Sequence, residues 1–229
     1  MNKLRNFSLL ITLLLSACGH SQHSPYTQTE PDTQRQLCGG RLDAGTSIKL
    51  DLITQLMDEG RLHAALAHLD NLDSDSLHSR YLRAEILRRS GRDQEAKPYY
   101  QGLLDTCMVG SGYHGLGLIA GRDGQLQTAL DYLQSAAERL PVDARVRNDF
   151  GYALLLDGQF ERARREFLTA MELDEKANLA RANMVMLLYV SDDGKKAEAF
   201  ASRISMDADT LAQLREQSAI IKTSIAVAN

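Results

Sequence analysis

Residues 112–143 read GYHGLGLIAGRDGQLQTALDYLQSAAERLPVD, and residues 145–176 read RVRNDFGYALLLDGQFERARREFLTAMELDEK. The two stretches carry one pattern at an offset of 34 residues: Gly117 matches Gly151, Gly124 matches Gly158, Ala129 matches Ala163, Leu133 matches Phe167 and Ala136 matches Ala170. Small residues at fixed offsets with this period mark a helix–turn–helix repeat. In the second stretch the apolar spacing predicts one helix over 144–157 and another over 160–173. Gly158 falls between them, where a residue without Cβ accepts a left-handed backbone. Gly151 and Ala163 are small because the two helices cross there, and Phe150, Leu154, Phe167 and Ala170 fill the seam. Neither helix buries its apolar stripe alone, so each unit needs stacked neighbours.

Weaker copies flank this pair. Ala84, Gly91, Ala96 and Tyr100 place helices over 78–90 and 93–106, with Pro98 a few residues into the second, where it is costly beyond the first turn. Ile53, Gly60, Ala65 and Leu69 place an earlier pair over 47–58 and 61–70, with Leu52, Leu56, Leu66 and Leu69 on the apolar faces. Val185, Ala197 and Ala201 keep the offsets after the central pair, and Asp192–Gly194 supplies a displaced turn. Residues 207–221 read as a last helix whose Leu211 and Leu214 cover the open seam, followed by a frayed tail. The expected class is all-α: a superhelical solenoid of about four to five helix pairs over 46–222. Its units fall at 46–76, 77–109, 110–143, 144–177 and 178–206, with a C-terminal cap at 207–222.

The pattern resembles the tetratricopeptide repeat. The family's late proline is present as Pro141 in one unit and replaced by Glu175 in the next, and the chain has no Trp. The resemblance implies a concave face lined by the first helix of each unit. Carried over position by position, it assigns partner contacts to Tyr81, Arg88 and Arg89, then to His114 and Arg122, and then to Arg145, Asn148 and Tyr152. Glu85, Leu118 and Gly121 occupy further groove positions. Four arginines among them lead to the expectation of a partner segment with acidic character.

Residues 1–17 carry Lys3 and Arg5 ahead of a short apolar run from Phe7 to Leu15, too short to span a bilayer and readable as an export signal. LSAC at Leu15–Cys18 resembles the lipobox of bacterial lipoproteins. That resemblance implies cleavage before Cys18 and attachment of diacylglycerol to its sulfur. Gly19, rather than Asp, then favours the periplasmic face of the outer membrane. Residues 18–45, with Pro25, Pro31 and the Gly39–Gly40 pair, read as a polar tether. His20 and His23 lie on it and read as exposed side chains, so no metal and no cofactor is expected. Cys38 and Cys107 remain: either they form a disulfide pinning the tether to the repeats, or Cys107 is a buried seam residue and Cys38 is free.

Loss of Lys3 and Arg5 takes the formal net charge from −4 to −6, unsuited to general nucleic-acid binding. The sequence holds none of the HExxH, GxSxG or phosphate-loop patterns, and the glycines of GYHGLGL sit at helix-crossing spacing without a preceding strand. The expectation is a protein without catalytic activity.

The lipobox together with LRAEILRRSGRDQEA, YHGLGLIAGRDGQLQTAL and RVRNDFGYALLLDGQFERARREFLTAMEL resembles the TadD family, the repeat lipoproteins of the tight-adherence (Flp-type) pilus machinery. The likeness spans about 80–205 and implies protein partners such as the pilus secretin or other tight-adherence components, in surface attachment and biofilm formation. A pilotin-like lipoprotein of type IV pili and a repeat scaffold of outer-membrane protein insertion remain alternatives.

Overall fold

The computed structural model describes residues 42–228, and eleven α-helices run through them with no strand. Helices α1 (Ala44–Asp58) and α2 (Leu62–Asp70) form the first pair, and α3 (Leu77–Arg89) and α4 (Asp93–Gln101) the second. The third is α5 (Val109–Arg122) with α6 (Leu126–Arg139), and the fourth α7 (Ala144–Leu156) with α8 (Phe160–Leu173). Helices α9 (Asn178–Val190) and α10 (Gly194–Arg203) make the fifth, followed by α11 (Ala208–Ala228). The all-α repeat architecture read from the sequence is therefore the architecture observed. The expected signal segment, Cys18, His20, His23 and Cys38 lie outside the described residues.

Every pair turns on one device. Gly60, Gly91, Gly124 and Gly158 take φ between 73° and 76°, and Asp192 takes the same role at 62°. The following N–H then reaches back to a carbonyl orphaned by the helix end: Gln125 donates to Ala120 and Gln159 to Leu154, both at 2.9 Å. Asp192, not Gly194, is thus the turn residue of the fifth pair; Gly194 opens α10. Counting five residues on from each turn residue reaches Ala65, Ala96, Ala129, Ala163 and Ala197, none more than 1% exposed. Counting nine reaches Leu69, Tyr100, Leu133, Phe167 and Ala201, all buried. The second helix of each pair therefore presents one small and, in four of the five, one large residue to its partner at constant height.

Close helix approach explains two glycines. A Cβ on Gly151 would stand 2.7 Å from the Phe167 ring, and one on Gly115 would stand 2.2 Å from that of Tyr100.

Four details differ from the sequence reading. Helix α1 starts at Ala44, inside the stretch read as tether, because Asp43 caps it by accepting from Thr46 N–H at 2.9 Å. Its buried face is Leu50, Ile53, Leu56 and Met57, whereas Leu52 is exposed. Helix α4 ends at Gln101 rather than near 106. Pro98 has no N–H for the carbonyl of Gln94, and past Gln101 the chain tightens into three-residue turns, Leu103 N–H to Tyr100 and Leu104 N–H to Gln101. Helix α11 continues to Ala228 instead of fraying. Ile221 and Ile225 pack on the main core, and Ile225 reaches the α7–α8 turn at Gly158.

Candidate functional site

The first helices of the second to fourth pairs, α3, α5 and α7, together with the α8–α9 connection, border an open groove of about 540 Å³. Tyr81, Glu85 and Arg88 come from α3, His114 and Leu118 from α5, and Arg145, Asn148 and Asp149 from α7. Lys176 and Leu179 close the far side. The positions recur because Tyr81, His114 and Asn148 each stand ten residues before the turn glycine of their pair. Ser76 caps α3 through the Ser79 N–H, and Asp143 caps α7 through the N–H groups of Arg145 and Val146.

Polar order in the groove is built in. Asn183 Nδ2 donates to Asn148 Oδ1 at 2.8 Å, Asn148 Nδ2 donates to Asp149 Oδ1 at 3.0 Å, and Asp149 Oδ2 lies 2.8 Å from His114 Nε2. This ladder ties α9, α7 and α5 together. Both asparagines are 4% exposed, so their amides are consumed in holding the floor rather than offered to a ligand. A second network lies at the other end. Arg88 donates to Glu85 at 2.8 Å and to the Tyr100 hydroxyl at 3.1 Å, and Tyr100 donates to Glu85. Burial alone would raise the Glu85 carboxyl; the Arg88 charge and the hydrogen bonds from Arg88 and Tyr100 outweigh it and hold the group below the ordinary glutamate range. Burial, and then the Glu85 charge, push the Tyr81 hydroxyl up to about 12. Burial also favours the neutral form of Asp143, but Arg145, 3.1 Å away, keeps its carboxyl below its usual value.

Of the residues assigned to partner contact from sequence, Tyr81, Arg88, His114, Arg145 and Asn148 come together here. Arg122 and Tyr152 line an adjoining cavity of about 390 Å³ between α5, α6 and α7, which shares Leu118 and Asp149 with the groove. Arg122 is also held by Asp93 at 2.9 Å. Arg89 belongs to neither space: it donates to the Met57 carbonyl at 2.7 Å and ties α3 to the end of α1. Arg88 is paired with Glu85 and Arg145 with Asp143, and His114 Nε2 lies against Asp149, whereas the Lys176 ammonium has no carboxylate partner among the described residues. Arg88 and Arg122 are therefore spent on carboxylates of this chain, and Lys176 with the exposed Arg145 is the positive charge left at the groove's edge. Leu179 and Asp149 were not singled out from sequence. Leu179, 63% exposed, stands 34 residues after Arg145, so continuing the same count one unit further finds it. Asp149 carries no such signal, because it points back to the preceding repeat.

Cys107 is exposed and disulfide-bonded, not a buried seam residue; Cys38, its expected partner, lies outside the described residues.

No family model matches the chain. Over 171 residues it is 40% identical to TPR repeat-containing protein PA4299 of Pseudomonas aeruginosa, spanning 75% of this chain and 69% of that protein. The chain belongs to the tetratricopeptide-repeat proteins, a class of protein-interaction scaffolds. Among solved structures it is similar to pilF of Pseudomonas aeruginosa, with a TM-score of 0.58 at 16% identity over 80% of this chain and 87% of that one. It is also similar to YrrB, described as a TPR protein with an unusual peptide-binding site, with a TM-score of 0.53 at 24% identity over 73% and 90%. These two likenesses concern the fold.

Proposed function

We propose that this protein is a non-catalytic, lipid-anchored scaffold that holds a protein segment in the groove during assembly of a tight-adherence pilus or its secretin. The observation that carries the binding role is the open groove bordered by successive first helices. Exposed Leu179 and Arg145 stand at its rim and Tyr81 lies deeper, above a floor already satisfied in hydrogen bonds. A hydrogen-bonded floor favours recognition by shape, apolar contact and main-chain hydrogen bonds, with Lys176 and Arg145 at the edge available to a carboxylate. Anchoring through Cys18 at the periplasmic face of the outer membrane is supported by LSAC at Leu15–Cys18, and an oxidising compartment by the disulfide at Cys107. The tight-adherence setting rests on the sequence blocks quoted above. A pilotin-like role in type IV pili is the second reading, favoured by the likeness to pilF.

The test is a mild-detergent pull-down of the tagged protein from cell envelopes, with a Cys18→Ser variant beside it. Recovery of the tight-adherence secretin and its neighbours, reduced for the variant, is expected. Recovery of type IV pilus components favours the second reading. Recovery of the outer-membrane insertion machinery, or of neither pilus system, overturns the proposal.

A further inference from the structure

A second concave surface lies between the second helices of the last two pairs. Leu168 from α8, Met184 and Leu188 from α9, and Phe200 from α10 enclose an almost wholly apolar notch of about 350 Å³. Its polar lining is Arg164, Lys196 and Arg203, with no carboxylate among the lining residues. On a chain of net charge −4 this is a local reversal of sign.

The preceding repeat shows why the notch is open. Between α6 and α8 the same position is roofed. Phe150 supplies the floor, the Arg162 guanidinium lies 5.6 Å from its ring centroid, and Arg162 Nη2 reaches across to Gln134 Oε1 at 3.4 Å. Counted from the turn residues Gly158 and Asp192, Met184 replaces Phe150, Lys196 replaces Arg162 and Leu168 replaces Gln134. The floor residue and both roof residues change together. Lys196 pairs instead with Asp193 of its own turn, and Leu168 is left 45% exposed. Arg203 stacks on Phe200 at 5.1 Å and has no carboxylate partner among the described residues. Arg164 has only Glu161, 3.8 Å away and 79% exposed.

We propose that this notch docks a segment of a partner protein that carries one aromatic or large aliphatic side chain flanked by carboxylates. The apolar floor takes the ring, and the three rim cations select its acidic flanks. A concave notch is filled by a protruding side chain, whereas a flat lipid surface would leave it empty. This surface is separate from the groove and stands independently of the groove's role.

The test uses the full chain with methyl-labelled Met and Leu, titrated with a nonapeptide of one central phenylalanine among glutamates and aspartates. The same peptide with lysines in place of the acids, and vesicles of phosphatidylglycerol, are run in parallel. The acidic peptide is expected to shift the Met184, Leu168 and Leu188 methyls. Lys196→Glu combined with Arg203→Glu should weaken it by about tenfold or more. Leu168→Gln restores the side chain of the preceding repeat at a position that is 45% exposed and should weaken binding without lowering the unfolding temperature, which separates loss of the site from loss of the fold. Equal shifts with the lysine peptide, shifts confined to the groove at Leu179, or no shifts would overturn the proposal. So would a response to vesicles alone, which would reassign the notch to lipid.

Discussion

Two glycines of α5, six residues apart, are expected to respond to the same substitution with opposite signs. Replacing a helical glycine by alanine gains about 1 kcal/mol in backbone propensity. At Gly121 the new Cβ meets only the Ala129 Cβ, at 3.8 Å, an ordinary contact. Gly121→Ala should therefore raise stability by about 1 kcal/mol. At Gly115 the Cβ would stand 2.2 Å from two carbons of the Tyr100 ring. Carbon atoms in contact need about 3.5 Å, so the ring must retreat by more than an ångström. It has nowhere to go: Tyr100 is fully buried and its hydroxyl is held by Glu85 and Arg88. Overpacking costs about 1–3 kcal/mol, and disturbing buried hydrogen bonds to charged groups costs about 1–3 kcal/mol more. After subtracting the propensity gain, Gly115→Ala should lose about 3 kcal/mol, or about 6–12 °C for a domain of this size. Urea and thermal unfolding followed by helical circular dichroism measure both variants. A Gly115→Ala protein as stable as the parent, or a clearly destabilised Gly121→Ala protein, would refute this account of the α4–α5 seam.

Other consequences follow from the same geometry. Gly124→Ala forces a Cβ into a φ of 74° and should cost about 1–2 kcal/mol in urea unfolding, with Gly124→Asn losing less because Asn tolerates the left-handed region. Asn148→Leu removes the acceptor of the buried Asn183 amide and should cost about 2 kcal/mol, while adding Asn183→Leu recovers part of the loss, a non-additivity that a double-mutant cycle reads directly. Glu85→Gln leaves Arg88 without its counter-charge and should cost about 3 kcal/mol at neutral pH. Because the folded Glu85 value lies below the ordinary 4.5, its contribution is present above that pH and lost as pH falls through the folded value, so parent and variant should converge in acid unfolding.

The repeat was legible because it is written in residues whose size or backbone freedom is fixed by geometry. The turn glycines and the alanines five positions on admit few replacements, so the period survives in the sequence. The ends of the array were harder to read. Pro98 removes one hydrogen bond, but where α4 then stops depends on the turn that follows it. The length of α11 depends on Ile221 and Ile225 packing on the main core and on Ile225 reaching the α7–α8 turn at Gly158, long-range contacts that no local pattern announces. In the groove, spacing brought Tyr81, Arg88, His114, Arg145 and Asn148 together but did not say which would be spent on structure. Asn148 was read as a ligand contact and is a floor residue, because its partner Asn183 lies in the next repeat. Arg89 is held away from the groove by its hydrogen bond to the Met57 carbonyl at the end of α1, a contact between repeats that spacing within one repeat does not reveal.

The most direct test places a photo-crosslinking phenylalanine analogue at Leu179, at the groove mouth, in living cells, with Ile48 on the exposed face of α1 as the control site. The account predicts an adduct from position 179 to a secretin or tight-adherence component, absent from position 48 and diminished when Tyr81→Ala and Arg145→Glu alter the groove. Adducts that are the same from both positions, or none from 179 while the pull-down still recovers the partner, would contradict the claim that the groove is where this protein holds its partner.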